Sequence, residues 1–361
     1  MLKNFWYACE FSQAVTQEPK QFKMLDERFV LYRNSQGKPI VLEDKCPHRG
    51  AALSLGWLEH DAIRCPYHGW KFETDGRCTD IPANGPDAPI PKRACVRSYP
   101  AEESQGYIWF FYGDLPEAKR PPLPHFPDYL FSEMRPVYND DIENANYERL
   151  MEVNVDFAHI TSVHRKSFGA RVSLDQSIKY KVKETPLSGT GEFHYHSLGD
   201  SKTFLNTLLG RRPGFMARLN YYLPNLILAE IWVGGTGRSF LKFCILVAYL
   251  PVDDKTCRSK RIFFRNFLKY PWFDPIAQRI DVMGRDEDNQ VVGTIADPVI
   301  PLRISDEAHI AADALCLSFR KQRQKYTARG GWFVPDAAAA TEHSLIQENS
   351  VAEPEFISRH S

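Results

Sequence analysis

Apolar and polar residues alternate over short runs in the first third of the chain, and turn-forming residues separate the runs. Phe29-Val30-Leu31-Tyr32 and Ile40-Val41-Leu42 flank a turn containing Asn34 and Gly37, and Trp70-Lys71-Phe72 leads through Thr74-Asp75-Gly76 into another strand. Tyr107–Tyr112 is one more strand-sized run. A period of two broken by Gly and Asp turns predicts a small antiparallel β domain. Five prolines lie between Pro116 and Pro127, with Lys119 and Arg120 among them, and predict a linker that closes this domain.

The period then changes. A helical pattern runs from about Asn144 to Val163, strand-like segments with Gly turns fill roughly 176 to 270, and helical patterns follow at about 274 to 296 and 305 to 329. Ser305-Asp306-Glu307 would open the last helix, and a basic final turn with Gly330-Gly331 would end it. Beyond about Asp336 an alanine run and a polar mixture predict a disordered tail. No internal repeat is present. The order helix, sheet, helices predicts an α+β fold with helices gathered on an antiparallel sheet. The expected divisions are 1–118, 119–335 and a tail over 336–361.

Composition narrows the function classes. At 361 residues the chain is long enough for about two domains. Its 45 basic and 45 acidic residues balance, which argues against a nucleic-acid binder. Of eight cysteines, Cys9, Cys78, Cys95, Cys244, Cys257 and Cys316 show no framework spacing and are expected as reduced thiols in a cytoplasmic protein. Met1-Leu-Lys-Asn-Phe-Trp-Tyr lacks the pattern of a signal peptide, and Phe243–Leu250 is strand-sized, not a membrane span, so a soluble protein is expected.

The remaining two cysteines carry the chemistry. Cys46-Pro-His48 and Cys65-Pro-Tyr-His68 are separated by sixteen residues, and each pair offers one thiolate and one imidazole. A Rieske [2Fe–2S] cluster needs two thiolates on one iron and two imidazoles on the other. Gly50 after the first pair, Gly69-Trp70 after the second, and a proline in each suit two tight loops folded over such a cluster. A structural Cys2His2 zinc site uses the same donors, but zinc-finger spacing places the cysteines together and the histidines together.

A second group lies near residue 150. Glu152, Asp156 and His159 are spaced by four and three, so on a helix they line one face. His164 follows five residues later, so a helix must end or distort between the histidines if both bind one metal. Ile160-Thr-Ser-Val, rich in β-branched residues, makes such an ending plausible. A distant carboxylate would complete the set. Asp288 falls in an apolar stripe with Ile280, Val291, Val292 and Ile295, where an unpaired carboxylate is costly. Glu287 lies beside Met283 and Val291 on a neighbouring strip, and periodicity does not choose between the two acids. Two histidines and one carboxylate make the facial triad of non-haem Fe(II) oxygenases. Taken alone, the histidine pair reads more readily as two ordinary helix-end residues.

Cys-Pro-His-Arg-Gly (46–50), Cys-Pro-Tyr-His-Gly-Trp (65–70) and Asp-Phe-Ala-His-Ile-Thr-Ser-Val-His (156–164) together resemble the α subunits of the Rieske non-haem iron oxygenases. The likeness covers nearly the whole chain, and in particular the chain resembles members of the vanillate O-demethylase and toluenesulfonate methyl-monooxygenase type. Asp-Glu-Asp-Asn-Gln-Val-Val (286–292) is similar to the family's late helix and places the third ligand at Asp288. The resemblance implies a helix-grip-like catalytic domain, a Rieske cluster on Cys46, His48, Cys65 and His68, and a mononuclear Fe(II) on His159, His164 and Asp288. Respiratory Rieske proteins pair extra cysteines where this chain has Ala51 and Tyr67, so that disulfide is not expected. The family often has Asn three residues before the Asp of the first iron helix; here that position is Val153, with Asn154 one residue later.

The resemblance further implies a homotrimer in which Asp156 bridges His159 of its own subunit and His68 of a neighbour, carrying electrons between the centres. No Gly-x-Gly-x-x-Gly follows a strand, so electrons are expected from a separate NAD(P)H-dependent reductase, with or without a ferredoxin. The basic run Arg320-Lys-Gln-Arg323-Gln-Lys325 is a candidate docking patch for it, or a solvated last turn. The implied reaction uses O2 to hydroxylate or oxidatively demethylate a small, aromatic or cyclic hydrophobic substrate. A pure electron-transfer Rieske protein and a structural zinc protein are the alternatives. Phe204–Leu209, Phe215-Met216 and Tyr221-Tyr222 are candidate pocket residues, with Arg211, Arg212 and Arg218 as candidate anion clamps.

Overall fold

The computed structural model describes residues 2–167, 179–195, 215–233, 241–333 and 346–348. Eleven short strands come first: β1 (Phe5–Phe11), β2 (Lys20–Met24), β3 (Glu27–Arg33), β4 (Pro39–Glu43), β5 (Trp57–Glu59), β6 (Ala62–Arg64), β7 (Lys71–Phe72), β8 (Cys78–Asp80), β9 (Ser98–Tyr99), β10 (Ala101–Ser104) and β11 (Tyr107–Tyr112). They form three antiparallel sheets, ordered β1-β11-β10, β2-β3-β4-β9 and β5-β6-β7-β8. The two expected apolar runs lie in β3 and β4. Asn34 shapes the turn between them: its Oδ1 accepts from the amides of Gln36 and Lys38.

The segment expected as a linker is packed against the first sheet. Trp6 Nε1 donates to the Pro121 carbonyl at 2.9 Å, and the Phe126 amide donates to Gln105. A short helix α1 (Tyr129–Ser132) and strand β12 (Arg135–Glu143) lead to helix α2 (Tyr147–Val155), whose Asn146 side chain caps the Glu148 amide. Helix α3 (Ile160–Val163), strands β13 (Lys179–Glu184), β14 (Ser188–Tyr195), β15 (Phe215–Tyr222), β16 (Leu226–Val233), β17 (Leu241–Pro251) and β18 (Cys257–Arg265), and helices α4 (Asp274–Val292) and α5 (Ala314–Ala328) follow. One large antiparallel sheet runs β12-β18-β17-β16-β15-β14-β13, and β19 (Ile346–Glu348) pairs with β13 at its far edge. The α+β expectation holds, with a large sheet and helices packed on it.

Two helix boundaries differ from the expectation. The helix expected over 144–163 stops at Val155, and the chain turns before α3. The helix expected from Ser305 begins at Ala314; two short 3-10 turns, Ile304–Asp306 and Ala311–Asp313, occupy the segment before it. The acidic triplet at Ser305 reads as a cap locally, but Glu307 is drawn away by ion pairs to Arg149 and Arg320. Of the expected tail, only β19 is among the described residues. Among those residues no helix is long and apolar enough to cross a membrane.

The large sheet is buried on both faces at its centre, which explains why β16 and β17 are near-continuous apolar runs. On one face Ile227, Ala229, Val247 and Tyr249 join a core with Leu150 and Met151 of α2 and with Leu315 and Phe319 of α5. On the other, Leu228, Leu246, Ala248 and Phe264 pack against Trp6, Tyr107, Trp109 and Phe111 of the β1-β11-β10 sheet. Buried polar contacts fix that second interface. The Tyr107 hydroxyl lies 3.1 Å from the Leu246 carbonyl and 2.8 Å from that of Lys260, while the Asn225 side chain bonds both the amide and the carbonyl of Ala8. Lys260 Nζ, itself buried, bonds Glu10 at 2.5 Å. The buried Tyr107 hydroxyl and Asn225 amide would be orphaned away from water without these partners. We expect Tyr107→Phe to destabilise the protein by about 1–2 kcal/mol, the cost of one buried hydrogen bond. A lower urea midpoint with an unchanged slope would register it; an unaltered midpoint would show that the hydroxyl does not bind the two parts together.

Candidate active site

Two loops, one after β4 and one after β6, fold identically around the first cysteine–histidine pairs. The Cys46 amide donates to the Ala51 carbonyl at 2.9 Å and the Gly50 amide to the Cys46 carbonyl at 2.8 Å. Cys65 and Gly69 repeat this with Trp70 and Cys65 at 2.8 and 3.0 Å. Gly50 (φ +77°) and Gly69 (φ +70°) take the left-handed conformation that closes each loop, which other residues adopt only with strain. At Gly69 a Cβ would also crowd Pro82.

The loops bring Nδ1 of His48 within 3.1 Å of Nδ1 of His68, while the Cys46 and Cys65 thiols are buried beneath. Burial, with a further contribution from Cys65, pushes the Cys46 thiol up to about 11. Desolvation and the facing His68 hold His48 below its usual value, which favours its neutral form. Trp70 stacks on His48, and Tyr67 covers His68. Two buried sulfurs under two converging imidazole nitrogens fit the donor set of a Rieske cluster.

The second group converges from three elements. Asp156 caps α2, and its Oδ1 accepts from the amides of Ala158 (2.8 Å) and His159 (3.4 Å), which turns the chain before α3. The helix is therefore broken at 156–158, ahead of the β-branched run, because an Asp side chain satisfies the amides of the bend. His159 and His164 flank α3. Asp288 comes from α4. His159 Nε2, His164 Nε2 and Asp288 Oδ1 form a triangle with edges of 3.2, 3.2 and 3.5 Å.

The opposite ring nitrogens are engaged. His159 Nδ1 contacts the main-chain carbonyl of Asp156, and His164 Nδ1 donates to Glu287 at 2.7 Å. With both Nδ1 atoms donating, each neutral ring turns an Nε2 lone pair toward the other. Asp288 Oδ1 is buried with no hydrogen-bond donor. Two facing lone pairs beside an orphaned carboxylate oxygen repel without a cation among them. Donors about 2.1 Å from one ion and at right angles would be spaced about 3 Å apart, so these edges fit a facial triad.

The acid left open between Asp288 and Glu287 thus falls into two positions: Asp288 stands in the triangle, and Glu287 bonds His164 Nδ1 and the Ser167 hydroxyl. Burial pushes His164 down, but the Asp288 and Glu287 carboxylates outweigh it and raise its pKa above the usual value. Asp156 departs from the expected contact. Its carboxylate binds backbone amides, and its carbonyl, not its side chain, meets the His159 ring.

A cavity of about 660 Å³ opens beside the triangle. The sheet lines it with Ala217, Leu219, Ile231, Phe243, Ile245 and Phe263, and α4 with Ile280 and Met283. Asn154 lies at its edge, bonded to the Tyr249 hydroxyl at 2.9 Å. A charged wall holds Glu143, Arg261, Asp281, Arg285 and Asn289. Burial raises the Glu143 pKa against the opposing pull of Ser259, Arg261, Asn289 and Arg285.

Several expected residues lie elsewhere. Phe204–Leu209, Arg211 and Arg212 are outside the described residues. Tyr221 is turned to Ser318 of α5, and Tyr222 packs on Phe126 on the opposite face. Arg218 shares that opposite face, paired with Glu192 and Glu230, so it is no anion clamp. The basic run on α5 is not a docking patch either: Arg320 is buried in ion pairs with Glu152 and Glu307, and Arg323 in one with Glu148. The charged wall went unremarked in the sequence, although Glu143, Ser259 and Arg261 are polar residues at strand positions near buried apolar ones.

Residues 5–100 match the Rieske [2Fe-2S] domain, and residues 143–329, just over half the chain, match the vanillate O-demethylase oxygenase C-terminal domain. The chain belongs to the Rieske non-haem iron oxygenases. It is 34% identical over 200 residues to a putative toluene-4-sulfonate monooxygenase system iron-sulfur subunit of Comamonas testosteroni (53% of this chain, 54% of that protein). It is 33% identical over 215 residues to a tert-butanol monooxygenase / tert-amyl alcohol desaturase oxygenase subunit of Aquincola tertiaricarbonis (58% and 44%). The chain thus spans about half the length of these curated relatives. Its fold is shared with dicamba monooxygenase bound to 3,6-dichlorosalicylic acid, at TM-score 0.75 and 22% identity over 91% of this chain and 98% of that one. The family uses a Rieske cluster and a mononuclear non-haem iron.

A Glu287→Gln variant should hold iron about 10- to 100-fold more weakly, because Glu287 orients and polarises His164. Iron analysis after dialysis against a weak chelator reads this. Because iron must displace a proton from His164, whose pKa is raised, retention in the unmodified protein should fall as pH drops below neutral and recover on return. Retention that is flat between pH 8 and 5.5 would contradict this ligand assignment.

Proposed function

We propose that this chain is the oxygenase component of a multicomponent Rieske oxygenase that hydroxylates or oxidatively demethylates a small apolar organic substrate. The observation that carries it is the His159–His164–Asp288 triangle set at an apolar cavity of about 660 Å³. When bound, the cluster would store electrons one at a time and the ferrous ion would activate O2 beside the substrate. Cys46, His48, Cys65 and His68 would hold the cluster, and His159, His164 and Asp288 the iron. An electron-transfer protein alone has no use for the cavity or the triangle.

The chain's own residues have distinct tasks in this reading. The Asp156 carbonyl and Glu287 engage the Nδ1 atoms of both histidines, which leaves their Nε2 atoms for the iron and aimed at Asp288. The apolar sheet face excludes water from the substrate. His48 and His68 are exposed at the tip of their loops, with Nε2 turned away from each other, so a neighbouring copy could meet them. In a homotrimer Asp156 would bridge the centres with its main-chain carbonyl on His159 and its carboxylate toward His68 of the partner subunit. A separate NAD(P)H-dependent reductase, with or without a ferredoxin, would supply electrons.

Purified protein should contain about three irons and two acid-labile sulfides per chain, as a [2Fe–2S] cluster plus one further iron requires. It should show a Rieske-type EPR signal on reduction and, with a surrogate reductase, consume O2 coupled to substrate. Zinc in place of iron, or a cluster without the additional iron, would remove the reading. Asp156→Asn should keep both metals and the cluster signal yet lower coupled turnover by about tenfold or more; an Asn variant as active as the parent would discharge Asp156 from the bridging role.

A further inference from the structure

The charged wall of the cavity discriminates among substrates by how its cations are already used. Arg261 Nε bonds Asp281 at 3.0 Å, its Nη2 lies 3.4 Å from Asp141, and its Nη1 lies 3.5 Å from Glu143. Arg285 Nη1 pairs with Asp141 at 2.5 Å, while its Nε and Nη2 bond Asp286 at 2.9 and 2.7 Å. Asn139 adds a 2.5 Å bond to Asp281. Four carboxylates therefore surround two guanidinium groups. Apart from the metal-site histidines, these two arginines are the only cationic side chains lining the cavity among the described residues.

An anionic substrate would meet a wall with excess negative charge and no free donor fork, against a sheet face that is otherwise largely apolar. Burying a carboxylate or sulfonate there leaves it unpaired, and that is strongly unfavourable. One polar atom of the wall is unspent. Asn289 lines the cavity beside Glu143, and its Oδ1 is buried with no partner. Asn289 and Asp288 line the same cavity, so a donor held there shares it with the metal triangle.

We propose that this cavity selects an uncharged, largely apolar molecule carrying one hydroxyl or N–H donor, held at Asn289, and that it rejects carboxylates and sulfonates. The inference rests on the oxygenase reading only in taking this cavity as the substrate site. It separates the chain from relatives whose names specify sulfonates, and predicts specificity from the ion pairs of Arg261 and Arg285.

The test is anaerobic titration calorimetry of the metal-loaded, unreduced full chain with naphthalene, 2-naphthol, 2-naphthoate and naphthalene-2-sulfonate, so that binding is read without turnover. 2-Naphthol should bind about tenfold tighter than naphthalene, and both anions about tenfold weaker than 2-naphthol. Asn289→Leu should erase the advantage of 2-naphthol over naphthalene. Asp141→Asn, which frees hydrogen bonds of both arginines, should raise the affinity for 2-naphthoate about fivefold, a gain that misfolding cannot mimic. Anions binding the parent as tightly as 2-naphthol, no preference of 2-naphthol over naphthalene, or no binding by any of the four would overturn the proposal. Coupled O2 uptake on 2-naphthoate would refute the specificity and leave the oxygenase standing. The stated preference in a protein that takes up no third iron would do the reverse.

Discussion

Everything at the candidate iron site depends on where two protons sit. The Asp156 carbonyl and the Glu287 carboxylate each take the Nδ1 proton of one histidine, so that both Nε2 lone pairs face the buried Oδ1 of Asp288. Were either histidine to carry its proton on Nε2 instead, the triangle would satisfy itself with an internal hydrogen bond and have little need of a metal. The acceptors differ in kind, a main-chain carbonyl for His159 and a carboxylate for His164. The first is fixed by the bend of the chain, and the second by the side chain of another helix.

The sheet makes that arrangement rigid. Its central strands are covered by helices on one face and by the β1-β11-β10 sheet on the other, so no strand in that region can slip without exposing an apolar row. The two faces also divide the work. Residues in register with Ala217 and Leu219 form the wall of the cavity, whereas those in register with Arg218 and Tyr222 point to the other layer. A difference of one residue in strand position separates a candidate substrate contact from a structural ion pair.

That parity explains what could be read in advance. The cluster loops were legible because each carries its thiolate, imidazole and glycine within five residues, so the local spacing is the site. The histidine pair was legible for the same reason, and the need for a bend between the two followed from helix geometry. The position of the bend did not, because it is set by the Asp156 carboxylate taking two amides, a choice available equally to the Ser and Thr residues that follow. Tyr221 and Tyr222 were treated together although adjacent strand residues face opposite ways. The basic residues of α5 suggested a solvent-facing patch, whereas their partners, Glu148, Glu152 and Glu307, lie distant in the chain, and only tertiary packing brings them close.

The choice between Glu287 and Asp288 shows how a long-range constraint resolves a local tie. Consecutive residues on α4 are separated by about 100° around the helix, so a slip of one position would exchange ligand and orienting acid. Three anchors along α4 oppose that slip. At its start Asp274 is gripped by Arg135 and Arg265, at 2.7 and 2.5 Å, and these guanidiniums hold its carboxyl below the usual range. Midway, the buried Asp281 is bonded by Asn139 and Arg261, and near the end Glu287 bonds His164. The first two anchors come from β12 and β18, the strands that neighbour each other at one edge of the sheet. The same sheet that carries the cavity wall therefore sets the rotation of the helix that supplies the third candidate ligand. Because Arg261 is both an anchor of α4 and part of the charged wall, the register of the candidate metal site and the proposed rejection of anions share one guanidinium group.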